Sequence, residues 1–172
     1  MNKKSVTILG SPFPSSSSEK IARDIQSKMN ELEWETSVID LSGLPANDLL
    51  MRSSTPSLEY KQSIEKIQAS KLIIIASPTY RATYTGLLKT FLDTLPQDSF
   101  NNKYSLLIQT GGSPEHSLSL EHGLIPLARS LGSKIISNTI YSHPIHWNFN
   151  KDMTPELSIL INKAITEIQE VF

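Results

Sequence analysis

Three short stretches of the chain combine hydroxyls, glycines and flat rings in patterns that could hold a ligand. In the first, Gly10-Ser11-Pro12-Phe13-Pro14 runs into four consecutive serines, Ser15 to Ser18, just before a helix-like segment. A helix amino terminus carries free N–H groups and a partial positive charge, and serines add small donors, so this stretch suits a phosphate monoester. It contains no lysine or arginine, and the chain lacks both the G-x-x-x-x-G-K-[ST] pattern of nucleoside triphosphatases and the G-x-G-x-x-G of dinucleotide folds. A purely local role is also open, with Ser16 as N-cap and Glu19 completing a capping box. The second stretch, Ser77-Pro78-Thr79-Tyr80-Arg81-Ala82-Thr83-Tyr84-Thr85-Gly86, offers a fixed proline, two flat rings and one cation, which suit a planar heteroaromatic ligand. Tyr84 fits equally well as the first core residue of the helix that follows. The third, Thr110-Gly111-Gly112-Ser113-Pro114, lets backbone approach a ligand closely, although a Gly-Gly pair alone is often just a turn. His143 and His146 are three apart, but Pro144 between them breaks any helix that would align the rings and only Asp152 lies nearby. They read as exposed loop histidines, with no metal site expected.

The elements that must position these stretches follow from apolar spacing. Short β-branched runs alternate with segments whose apolar residues recur every three to four positions, the mark of parallel α/β folding. Val6–Leu9, Thr36–Ile39, Leu72–Ala76, Tyr104–Ile108 and Lys134–Tyr141 read as five strands, with the continuous run at 72–76 central because it is apolar on both faces. Helices are expected around Ile21–Leu32, after a Thr55 cap with Pro56 at the first helical position, over Tyr84–Leu95, over Pro114–Leu131 and over Leu157–Val171. This predicts a flavodoxin-like doubly wound five-stranded parallel sheet, order 2-1-3-4-5, with helices on both faces. Such sheets bind ligands beyond the strand carboxyl ends at the switch point, where all three stretches fall.

At 172 residues the chain is expected to form one domain over residues 1–172. Sixteen basic against seventeen acidic residues argue against a polyanionic partner, so neither nucleic acid nor membrane is expected. No apolar run reaches the roughly 18 residues of a membrane span. With no cysteine, thiolate nucleophiles, disulfides and iron–sulfur clusters are excluded, and a cytoplasmic location is expected.

Gly10-Ser11-Pro12 with its serine run, the stretch Pro78 to Asp93, and Thr110-Gly111-Gly112 with His116 resemble the NAD(P)H-dependent FMN reductases, in particular those serving two-component alkanesulfonate monooxygenases. The similarity covers most of the chain. It implies that Ser11, Ser16 and Ser18 bind the FMN phosphate, and that Pro78, Thr79, Tyr80, Arg81, Thr110, Gly111 and Gly112 frame the ring. It also implies a flavin reduced by NADPH or NADH and passed to a partner monooxygenase, in a homodimer or homotetramer. The first loop departs from the family in having Phe13 and Ser17 where an arginine is expected, which implies weaker phosphate binding. In the sulfonate-linked reductases an inserted residue makes a π-bulge in the helix after the third loop, and His122 occupies that place. Pro126 cannot donate to the carbonyl of His122, so local chemistry agrees, while an ordinary proline-kinked helix is the alternative. No side chain is expected to act as acid, base or nucleophile, because flavin carries the chemistry. An FMN-containing quinone or azo reductase of the same fold is the enzymatic alternative. A flavodoxin is the non-enzymatic one, against which near neutrality and Gly-Ser-Pro in the first loop both speak. A phosphoacceptor domain is excluded because Ala76-Ser77-Pro78 supplies no aspartate.

Overall fold

The apolar runs pair into one parallel sheet, described over residues 3–172 in a computed structural model. In chain order the elements are β1 (Lys4–Leu9), α1 (Ser17–Glu31), β2 (Glu35–Asp40), α2 (Ala46–Leu49), α3 (Leu58–Ala69), β3 (Leu72–Pro78), α4 (Gly86–Asp93), β4 (Tyr104–Thr110), α5 (Ile125–Ser130), β5 (Lys134–Ile135), β6 (Ile140–Ser142) and α6 (Pro155–Val171). The strand order is β2-β1-β3-β4-β5, as expected, with β6 also parallel to β4. Register is set by hydrophobic alternation. Ile73 and Ile75 of β3 face one core with Val6, Ile8, Leu107, Phe91 and Leu124, while Leu72, Ile74 and Ala76 face the other with Ile21, Ile25, Met29 and Ile161. A one-residue slip would exchange the two sets, so burial on both faces locks β3 in place.

Several element boundaries differ from expectation. Helix α3 is capped by Ser57, whose hydroxyl accepts from Tyr60 N at 3.1 Å, so Pro56 lies outside the helix and Thr55 is not its cap. Helix α4 begins at Gly86 behind a Thr85 cap and ends at Asp93, which leaves Tyr84 in the preceding loop and Leu95 beyond the end, both still packed on the core. The expected fifth strand is two short pieces. Between them the N–H groups of Ser137 and Asn138 donate to the Glu167 carboxylate at 2.6 and 2.8 Å instead of to a strand. The expected helix over Pro114–Leu131 is a 3-10 turn (Pro114–Ser117), a π turn (Leu120–Leu124) and α5. In the π turn Ile125 N donates to the Leu120 carbonyl, five residues back, one residue before Pro126 removes a donor from the ladder. His122 thus lies within a π turn, as the resemblance implied.

Candidate functional site

The chain reverses direction across the sheet between β1 and β3, and the loops after β1, β3 and β4 meet there. Thr85 ties the first to the second. Its hydroxyl donates to the Gly10 carbonyl and accepts from Leu88 N at 3.0 Å, while its own N–H donates to Ser77 Oγ at 3.1 Å. Gly10 has little room for a side chain, because a Cβ there would stand 3.0 Å from Leu88 Cβ and 3.2 Å from the Ala76 carbonyl. The second loop is joined to the third by Thr79 N donating to the Thr110 carbonyl at 2.6 Å, and the third to β6 by Gly111 N donating to the Ser142 carbonyl at 2.8 Å.

In the first loop local capping and a place at the cleft fall on different serines. Ser16 caps α1, accepting from Glu19 N at 3.2 Å and sharing a hydrogen bond with Ser18 Oγ at 3.1 Å. Glu19 reaches back to Ser15 N at 2.8 Å, one residue earlier than a capping box requires, because Ser15 turns into the left-handed region. Ser11 bonds locally to Phe13 N and Phe13 O. Ser11 and Ser18 are buried and Ser17 is exposed. Ser17 lines the cleft described below.

In the second loop Tyr80 and Thr83 exchange backbone hydrogen bonds at 2.8 and 3.2 Å around Arg81 and Ala82. Both central residues have positive φ, 51° and 62°, so this is a two-residue turn of the kind glycine or asparagine usually fills. It holds Tyr80, 42% exposed, and Arg81 outward, while Tyr84 turns inward to pack on the core and against Gly123 of the π turn. Tyr84 is therefore a packing residue, the alternative its spacing allowed.

In the third loop a Cβ at Gly111 would collide with the Tyr141 hydroxyl, which donates to the Ser113 carbonyl at 2.6 Å, and would lie 3.0 Å from His116 Cβ. Gly112 has open space beside it. His116 Nδ1 is buried without a protein partner. His143 and His146 are half-buried and not simply solvent-exposed: the His143 ring stacks on Tyr141, and the His143 backbone N–H donates to His146 Nδ1 at 3.2 Å.

These parts enclose a cleft of about 220 Å³ lined by Ser17, Thr79, Thr110, Gly111, Gly112, Ser142, His143, Pro144 and Trp147. Trp147 is anchored by Nε1 donating to Ser142 Oγ at 2.7 Å. Thr79, Thr110, Gly111 and Gly112 of the expected set converge here. Ser11, Ser16, Ser18, Pro78, Tyr80 and Arg81 flank the cleft in sequence without lining it. Ser17 and the segment 142–147 were missed, because nothing in the spacing places the segment after the last strand beside the start of α1. A wider furrow of about 750 Å³ runs along the outer face of α6, past Ser137, Lys163 and Glu167, away from the strand ends where the loops converge.

The model of the NADPH-dependent FMN reductase family matches residues 4–147. The chain belongs to this family. It is 33% identical over 165 residues to the FMN reductase (NADPH) of Escherichia coli K12, covering 93% of this chain and 85% of that one. It is 32% identical to the FMN-dependent NADPH-azoreductase of Staphylococcus aureus over 87% of this chain and 81% of the relative. Among solved structures it superposes on the apo form of an NADH:FMN oxidoreductase with a TM-score of 0.87 and 29% identity, covering 98% of this chain and 89% of the other. The chain is therefore an oxidoreductase that uses FMN and NAD(P)H, and its loops fit that flavin. A helix start with free first-turn N–H groups meets the needs of a phosphate. Backbone at Gly112 without a side chain, an exposed Tyr80 ring and an unpartnered His116 nitrogen beside Gly111 suit a flat ring with polar edges.

Proposed function

We propose that this chain, as one domain over residues 1–172, transfers reducing equivalents from NADPH or NADH to FMN at the cleft above β1, β3 and β4. In this reading Ser11, Ser16 and Ser18 shape the phosphate loop, with Ser17 as its free hydroxyl, and Pro78, Thr79, Tyr80, Arg81, Thr110, Gly111 and Gly112 frame the ring. These residues would hold FMN, which would supply the chemistry as acceptor, at N5, of a hydride from C4 of the nicotinamide. The residues bind and orient: the Thr79–Thr110 hydrogen bond fixes the strand ends, and the Arg81–Ala82 turn presents Tyr80 as a platform. The carrying observation is that three loops converge on one cleft, joined through Thr85 and through backbone hydrogen bonds. The finer role is supply of reduced FMN to a separate flavin-dependent monooxygenase by a cytoplasmic homodimer or homotetramer, as in sulfonate metabolism. The exposed Leu118 beside the π turn supports a self-association surface.

The test is to mix purified protein with FMN and NADPH or NADH and follow pyridine-nucleotide absorbance. An FMN-dependent rate is expected, and no rate with either nucleotide overturns the proposal. The azoreductase likeness favours a second reading, delivery to a quinone or azo acceptor from bound FMN. Sequential dependence on nucleotide and free FMN supports the first reading, and ping-pong transfer to the acceptor supports the second.

A further inference from the structure

The start of α1 offers a phosphate hydroxyls and helix N–H groups but no full positive charge. Residues 10–18 include no lysine or arginine. The basic side chains in the next turns are engaged elsewhere: Arg23 pairs with Glu19 at 2.7 Å, and Lys20 Nζ reaches the Lys151 carbonyl at 3.4 Å. Among the described residues that line the cleft with Ser17, His143 alone has a side chain that can carry a positive charge.

His143 is also held in place. Its backbone N–H donates to His146 Nδ1 at 3.2 Å, its ring stacks on Tyr141 at 6.1 Å between centroids, and the His146 ring stands edge-on at 4.8 Å. An Nδ1 that accepts a hydrogen bond belongs to a neutral imidazole. Burial, with the charge of His143 beside it, holds His146 below the ordinary histidine range against the opposing pull of Glu156 on α6. Of the two imidazoles, His143 is the one that lines the cleft. The other titratable groups around it are Glu115 of the 3-10 turn, whose carboxyl is held below its usual range mainly by a hydrogen bond from Ser113, and the Tyr141 phenol of β6, which burial keeps neutral.

We propose that protonated His143 supplies the positive charge that the first loop lacks, pairing with the 5′-phosphate of FMN in the cleft it shares with Ser17. His146 acts as a positioning residue that fixes the His143 backbone while remaining neutral. This rests on the placement of FMN proposed above, and it makes the phosphate's share of binding depend on pH while the ring's share does not.

The experiment measures Kd for FMN and for riboflavin, which lacks the phosphate, by quenching of flavin fluorescence on the full chain between pH 6.5 and 8.5. A charge-assisted contact to phosphate is expected to raise the FMN-over-riboflavin preference about tenfold at the lower pH. His143→Gln should lower the preference and flatten it, and His143→Arg should keep it high across the range. The phosphate's own second ionisation, near pH 6, acts on all three proteins alike, and unchanged riboflavin affinity confirms that the cleft is intact in the variants. A native pH dependence that survives in His143→Gln, or a preference that falls in His143→Arg, overturns the assignment. Native protein that binds neither flavin overturns this inference and the proposed function together, whereas binding with a flat FMN preference overturns only this inference.

Discussion

At the scale of single residues, the site depends on contacts that join loops remote in sequence. Thr85 makes one of them, to the Gly10 carbonyl, and Thr85→Val keeps its shape while removing the cap of α4 and orphaning that carbonyl. We expect a loss of about 2–3 kcal/mol of stability, measured by urea unfolding, with a rise in the FMN Michaelis constant as the first loop loosens. Gly111→Ala should cost about 1–3 kcal/mol through overpacking, because the new methyl meets the Tyr141 hydroxyl. Adding Tyr141→Phe to Gly111→Ala should recover part of that loss in thermal unfolding, and no recovery would show the clash to be elsewhere. That Thr110, Gly111 and Gly112 line the cleft was legible from residue type and their place after a strand. His143 was not, since what matters about it is a tertiary contact with Tyr141 and His146 that spacing does not encode.

At the scale of elements, the Arg81–Ala82 turn carries strain. Two non-glycine residues sit at φ 51° and 62°, each disfavoured by roughly 1–2 kcal/mol relative to the right-handed region. Ala82→Gly is therefore expected to stabilise the protein by about 0.5–1 kcal/mol in chemical denaturation, while holding Tyr80 less firmly. Strand existence and order were readable because burial on both faces of β3 leaves a run of apolar residues no helix period explains. Boundaries were less so. Ser57 replaced Thr55 as a cap because a side chain three residues before an amide wins over a proline cue, and the helix read from Tyr84 starts at Gly86 because Thr85 caps it. The break near His122 was legible from Pro126. The break at 136–139 was not, because its cause, Glu167, comes thirty residues later.

At the scale of the whole molecule, that same carboxylate links stability to pH. Burial opposes ionisation of Glu167, but hydrogen bonds from Ser137 N, Asn138 N and the Asn138 side chain outweigh it and hold its pKa below the ordinary value of 4.5. A folded pKa below the unfolded one gives stability that is complete above about pH 4.5 and is lost as pH falls through the folded value. Urea unfolding at pH 7 and pH 3.5 should show Glu167→Gln less stable than the native chain at pH 7 and the gap closing at pH 3.5. An unchanged gap would separate Glu167 from the acid response. The split between β5 and β6 has one more consequence. A long bare edge strand is a template onto which another chain can add, and here that edge is reduced to runs of two and three residues whose intervening amides are already bonded to an acidic side chain. The interruption thus works against edge-to-edge polymerisation, sparing a concentrated reductase from fibre-like aggregation.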